Sequence, residues 1–463
     1  MLRAQRYSRR SVLHLLAIGS TVALSSCAGG TATTSQTAAT PVAPTPASSS
    51  TGQTSATTGA VAGAAVAPVS NATLVYYNWF TPTDPQSQVF PHALTLFTQQ
   101  HPGVKISNNV VAGGLAPLEA KLEVLIAGGT PPDVSALNPQ LITPLFSKNL
   151  LADLTPDIQR DAKLFDPSDF FPETLTRVVK NGKQYAIPLQ MGLFVIIFNR
   201  TLFKAAGVAE PTDSWTWATD FVEAARKLTS TTKRQFGAVQ PPMEPPIWSY
   251  GGDVLSADGK TCLLDQPAAV TALQLISDLV FKYQASPRPA DLQDTNALNL
   301  FMTSRLGMLI DITGTASQVE RQAPHFDWDL AHLPLGPKGR FTIVQGPSLS
   351  VFQASKQRDL AWQWTEFYTG KEIQQYAATV GRVVSARQSA AAAFKALPAP
   401  PANRAPLVDS AAFSRQRLFL TNWAQVNDVM TKNLDDSLTL GTKPAQQAAQ
   451  AACQELTPLL TAG

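Results

Sequence analysis

LEAKLEVLIAGGTPPDVSAL, residues 118–137, is the stretch whose reading decides the fold. Leu118, Leu122, Leu125 and Ile126 fall on one side of a helix that runs to Ala127. Gly128-Gly129 stops that helix in the manner of a C-cap, and Asp133-Val134-Ser135-Ala136-Leu137 then reads as a short apolar strand. Asp133 is expected to be structural, holding its own turn. Helix, glycine stop, turn and strand in so short a span make the repeating unit of a layered α/β domain.

The same alternation extends both ways. Upstream, Leu74-Val75-Tyr76-Tyr77 reads as a first strand, broken by Thr81, Pro82, Asp84 and Pro85. A helix follows across Val89 to Gln100, and Val104, Ile106, Asn108 and Val110 alternate as a second strand. Downstream, Val195-Ile196-Ile197-Phe198 is apolar on both faces, as in a strand covered by helices. Thr216 is placed to N-cap a helix through Lys227. Gly307 to Asp311 and Phe341 to Val344 read as later strands, and Leu360, Trp364, Phe367 and Tyr368 as the core stripe of a helix. Helical pattern fills Asn422 to Leu460 and breaks at Gly441-Thr442-Lys443-Pro444. No repeat is visible, which argues against a solenoid or propeller.

Composition separates a leader from the rest. Arg3, Arg6, Arg9 and Arg10 precede an apolar run from Val12 to Ser26, shorter than the roughly 20 residues of a spanning helix. Ser8-Arg9-Arg10-Ser11-Val12-Leu13 resembles a twin-arginine export signal, with Val12 where Phe is usual. Leu24-Ser25-Ser26-Cys27 resembles a lipobox, in which Cys27 is acylated. Ala28 to Ser70 carries no charge and too little apolar surface to offset its ordering entropy, so it is expected to be a disordered tether. The chain holds 36 basic and 33 acidic residues. Four of the basic ones are leader arginines, so the remainder is near neutral and has no basic stripe for nucleic acid. Besides Cys27 only Cys262 and Cys453 occur; they are able to pair in an oxidising compartment and equally able to stay buried and free. No CxxC, HExxH or histidine cluster argues for a metal, and nothing calls for a cofactor.

Several short words then fall in a recognisable order. They are Gly128 to Val134; Gly182-Lys183-Gln184-Tyr185-Ala186-Ile187-Pro188; and Phe198-Asn199-Arg200-Thr201-Leu202-Phe203. After them come Ala206-Gly207-Val208, Pro211 to Trp217, Phe301 to Met308, Leu333 to Pro337, Ala361 to Phe367, and Gly381-Arg382. Together they resemble the extracellular solute-binding proteins of the sugar-type ABC importer class over nearly the whole chain after the tether. Two departures are Ile312-Thr313-Gly314 where the family often has Gly and Trp, and Val383-Val384-Ser385 where a Pro is usual.

The resemblance implies an α/β, two-lobe periplasmic-binding-protein-like fold (type II), with strand crossovers and a ligand cleft between lobes. The expected organisation is a signal peptide over 1–27, a tether over 28–71, a first lobe from 72–189 and 335–381, and a second from 190–334 and 382–463. Ligands of open α/β sheets sit beyond strand carboxyl ends. The candidate ligand-binding residues are therefore Asn78, Trp79, Gly114, Asn138, Gln140, Gln190, Trp248, Tyr250, Gly251, Asp311, Gly314, Gly346 and Arg382. Trp79, Trp248 and Tyr250 would cover a sugar ring face, while amides, Asp311 and Arg382 would bond its hydroxyl rim.

The implied function is a membrane-anchored extracytoplasmic receptor without enzymatic chemistry, a monomer by default. It would capture a small solute, foremost a mono- or oligosaccharide, and deliver it to ABC permease subunits. Sugar alcohols and glycerol phosphodiesters stay open. Two rivals are a secreted carbohydrate-active hydrolase and an adhesion or scaffold lipoprotein. The first is weakened because spacing singles out neither a carboxylate pair nor a nucleophile elbow.

Overall fold

The computed structural model describes residues 71–82 and 84–461. The expected signal peptide, the acylated Cys27 and the tether lie outside the described residues.

The strands, in chain order, are β1 (Thr73–Asn78), β2 (Lys105–Val110), β3 (Val134–Leu137), β4 (Val179–Lys180), β5 (Lys183–Gln184), β6 (Ile187–Pro188) and β7 (Gly192–Asn199). They continue with β8 (Phe236–Ala238), β9 (Leu306–Ile312), β10 (Trp328–Ala331), β11 (Thr342–Gln345), β12 (Ser348–Val351) and β13 (Ser414–Arg415). Two sheets organise them. The first has the order β2-β1-β3-β12-β6, the second β13-β11-β7-β9-β8 with β10 also on β7, and β4 and β5 form a separate hairpin.

The decisive stretch folds as read. The helix spans Leu115–Ala127 and buries Leu118 and Leu122. Gly129 takes the left-handed conformation (φ +69°), and Thr130 N–H returns to the Leu125 carbonyl at 2.9 Å. Asp133 then accepts from Val75 N–H at 2.8 Å and from the Ser355 hydroxyl at 2.5 Å, tying β1, β3 and the segment after β12 together. In the first sheet β1 runs parallel to β2 and β3, while β12 is antiparallel to β3 and β6. Helices Gln86–Gln100, Arg358–Tyr368 and Lys371–Thr379 pack on one face, those at Leu115–Ala127 and Pro139–Ser147 on the other.

The second sheet centres on β7, buried along nearly its whole length because it pairs with β9, β10 and β11 and is covered on both faces. Its outer layer joins helix Pro267–Phe281 to helices Trp423–Leu438 and Ala445–Thr461, and Cys262 is disulfide-bonded to Cys453 within it. Thr216 stands at the expected N-cap position, but its side chain makes no capping bond to a backbone N–H. Its N–H and hydroxyl both donate to Asp220, and Trp217–Phe221 is a wide π turn ahead of helix Val222–Leu228. Within that turn the buried Trp217 and Phe221 rings meet edge to face at 5.1 Å.

Three crossings join the two lobes. The first, Leu189-Gln190-Met191, links β6 to β7; the second, Gly346-Pro347, links β11 to β12; the third is the segment around Val383–Ser385. They lie side by side. Leu189 N–H donates to the Pro347 carbonyl at 3.0 Å, Met191 N–H to the Val384 carbonyl at 2.9 Å, and Gln190 bridges antiparallel to Ser385. The return to the first lobe was expected at 335. It falls instead at Gly346-Pro347, because Val344 and Gln345 remain paired with Leu193 and Gly192 of the second sheet.

Candidate functional site

Beyond the carboxyl end of β3, between the lobes, lies a cavity of about 150 Å³. The first lobe contributes Pro139, Thr143, Arg177 and Lys180; the second contributes Val344, Gln416, Arg417, Leu418 and Phe419. Position follows from topology. Pro139 opens the helix after β3, Arg177 and Lys180 come just ahead of the first crossing, and Gln416 to Phe419 follow β13. Across the gap, Gln416 Nε2 donates to the Glu173 carbonyl at 3.2 Å. Arg417 is neutralised by Glu244 through bonds of 2.5 and 3.0 Å.

The floor is stapled by Arg177. Its Nη2 donates to the carbonyls of Gln190 (3.3 Å) and Gly346 (3.1 Å) and to the Ser348 hydroxyl (3.4 Å), spanning the first two crossings. Gly346 sits at φ +123°, and a Cβ there would stand 2.6 Å from the Gln190 carbonyl oxygen. Gly346→Ala is therefore expected to cost about 2 kcal/mol of stability in urea unfolding; an unchanged midpoint would show that this crossing is not tightly held.

Of the sequence-predicted residues none lines the cavity itself, though several border it. Asn138 and Gln140 flank Pro139, and the buried Asn138 Oδ1 has no hydrogen-bond partner among the described residues. Gln190 and Gly346 lend it their carbonyls through Arg177. Trp248 lines an adjoining depression of about 150 Å³ that shares Gln416, Arg417 and Leu418. There its Nε1 donates to Asp253 at 2.9 Å, and the Arg415 guanidinium covers its ring at 4.7 Å while bonding the same Asp253. The face expected to stack on a sugar is thus already occupied.

The others lie elsewhere. Asn78 is buried, donating to Asn108 at 2.6 Å and accepting from Phe80 N–H. Trp79 packs between the two core clusters of the first lobe. Gly114 precedes helix Leu115–Ala127. Tyr250 lines a separate surface depression of the second lobe, and Gly251 faces Lys338. Asp311 accepts from Ile312 N–H at 2.7 Å, and burial raises its carboxyl above the usual range. Gly314 is inside helix Thr313–Gln322. Arg382 pairs with Glu320 at 2.7 Å and receives the Ser317 hydroxyl on its carbonyl, bracing the third crossing.

Sequence reasoning missed Thr143, Arg177, Lys180, Gln416 and Phe419. Two basic residues immediately ahead of the crossover word at Gly182 were a usable signal for Arg177 and Lys180. For Gln416 and Phe419 there was none, since β13 is only two residues long.

Two sheets of this order, three adjacent crossings and a polar cavity at strand ends define a two-lobed binding protein of the type II class. The chain belongs to the bacterial extracellular solute-binding protein family, whose profile matches residues 81–375. An arabinooligosaccharide-binding protein of Bacillus subtilis (strain 168) is 27% identical over 209 residues, 44% of this chain and 46% of that one. Among solved structures, an ABC substrate-binding protein of Listeria monocytogenes in complex with cycloalternan superposes with a TM-score of 0.77 at 24% identity, covering 84% of this chain and 99% of that one. Maltose-bound MalE3 of T. maritima gives 0.70 at 23% identity, covering 84% and 100%.

Proposed function

We propose that this chain is an extracytoplasmic receptor that captures a carbohydrate between its lobes and delivers it unchanged to the permease of an ABC importer. The observation that carries the reading is the interlobe cavity whose Arg177 bonds the first two of the three adjacent crossings, where the lobes can close on a guest. The family membership supports solute capture. The names of the similar proteins, which refer to arabinooligosaccharide, cycloalternan and maltose, support a saccharide. The lipobox-like Leu24 to Cys27 supports attachment to the membrane surface through a lipid, and the twin-arginine-like leader supports export of a folded chain. The Thr143 hydroxyl and Gln416 carboxamide lining the cavity are suited to sugar hydroxyls, since an unmatched buried partner costs about 1–3 kcal/mol.

Calorimetry of the full chain against a panel of mono- and oligosaccharides, with a parallel assay for released product, tests this. Saturable heat without product is the expected result. Turnover would replace the reading with a hydrolase, and silence in both assays would leave a scaffold.

A further inference from the structure

The geometry points to a saccharide or polyol ligand that carries one anionic group, a carboxylate or a phosphate ester, held by Arg177 and Lys180 at the floor of the interlobe cavity. This deepens the capture reading above and rests on it.

Three arginines among the described residues are buried: Arg177, Arg387 and Arg404. Two of them have acids. Arg404 forms a double bond pattern with Glu320 at 2.6 and 2.9 Å. Arg387 reaches Asp169 at 3.4 Å, three main-chain carbonyls and the face of Phe170 at 4.1 Å. Arg177, only 4% exposed, has no carboxylate. One nitrogen is shared among three neutral oxygens at 3.1–3.4 Å, and its Nε and Nη1 have no partner. Burial lowers its proton affinity, with no acid opposing the shift, yet a guanidinium remains charged at neutral pH.

Lys180 repeats the pattern on the same wall. It has neither hydrogen bond nor ion pair among the described residues, and burial alone lowers its pKa. The third cation at the cavity, Arg417, is already spent on Glu244. The cavity therefore carries uncompensated positive charge where water is scarce, an arrangement that costs several kcal/mol unless an anion arrives. A carboxylate or phosphate bonded to Lys180 would lie beside the buried Arg177 guanidinium and offset both charges together. Thr143, Gln416 and the Phe419 ring surround that point with groups suited to a hydroxylated body rather than to a bare ion.

The test is calorimetry of the full chain with matched pairs: galactose against galacturonate, glucose against glucose 6-phosphate, glycerol against glycerol 3-phosphate, and inorganic phosphate alone. At least one acidic member is expected to bind about tenfold or more tightly than its neutral mate, and to weaken as salt is raised. The uronate and phosphate arms tell the two sources of charge apart. Lys180→Gln should lower that affinity about tenfold with an unchanged thermal midpoint; Arg177→Gln should lower it further, but it also loosens the crossings, so Lys180 is the deciding variant. Equal affinity for neutral and acidic mates, or a Lys180→Gln chain that binds both as before, overturns the inference and leaves capture standing. Inorganic phosphate binding as tightly as the sugar phosphate overturns it by reducing the site to an ion site. No heat from any saccharide, neutral or acidic, removes the capture reading itself and the inference with it.

Discussion

A Glu320→Ala chain is expected to lose about 3–5 kcal/mol of stability, read as a lower urea midpoint at unchanged slope. Glu320 sits near the end of helix Thr313–Gln322 with its side chain largely covered. Its carboxylate accepts hydrogen bonds from Nη2 and Nη1 of Arg404 at 2.6 and 2.9 Å, and forms an ion pair with Nη1 of Arg382 at 2.7 Å. Arg404 is almost wholly buried; its Nη2 also reaches the carbonyls of Pro398 and Pro400, and its Nε the carbonyl of Leu397. Deleting the acid leaves a buried cation with only neutral acceptors, which is far worse than never having had the pair. Arg382 is more exposed, so solvent screens its share and the larger part of the loss belongs to Arg404. Glu320→Gln, which keeps one acceptor oxygen but loses the charge and sets an NH2 donor against a guanidinium, should fall between. A loss below about 1 kcal/mol for Glu320→Ala would mean that the cluster does not hold the third crossing in place.

That cluster also shows what the sequence could and could not announce. Arg382 was singled out as a ligand contact because it ends a family word at the last crossover. The position was legible; the role was not, because Glu320 lies far away in sequence and no local pattern joins the two. The same holds at Trp248. It is one of the aromatics expected to cover a sugar ring, but it stands on helix Glu244–Ser249 and the guanidinium that covers its ring comes from Arg415, far away in sequence.

Elements with strong local periodicity were legible: the helix ending at Gly128-Gly129, β1 and β7, and the broken helix at the end of the chain. The π turn at Trp217 was not, because an N-cap pattern and a wide turn begin with the same residue types. Neither was the boundary between lobes. The segment Phe341 to Val344 is recognisable as a strand, but which sheet it joins is decided by pairing with Leu193 and Gly192, a long-range fact. The cavity walls were least legible, since Arg177 follows a five-residue helix, Lys180 ends a two-residue strand, and Gln416 and Phe419 stand in irregular chain.

Removing the Cys262–Cys453 bond is expected to cost about 5 kcal/mol by the chain-entropy account, because it closes a loop of 191 residues. Both cysteines are buried with Leu264, Leu273, Val426 and Leu456, where the two C-terminal helices meet helix Pro267–Phe281. The bond therefore restrains the outer layer of the second lobe, and neither cysteine lines the interlobe cavity. A Cys262→Ser, Cys453→Ser chain and the reduced parent should unfold together, at a midpoint well below the oxidised parent, while ligand affinity measured below both transitions stays unchanged. A double variant as stable as the oxidised parent would refute the loop-closure argument. The result also bears on export, since a chain that crosses the membrane already folded must reach its native form before this bond can close in an oxidising compartment. The reduced chain must then fold on its packing alone, and if it does not, the twin-arginine-like leader cannot be the route by which this protein leaves the cytoplasm.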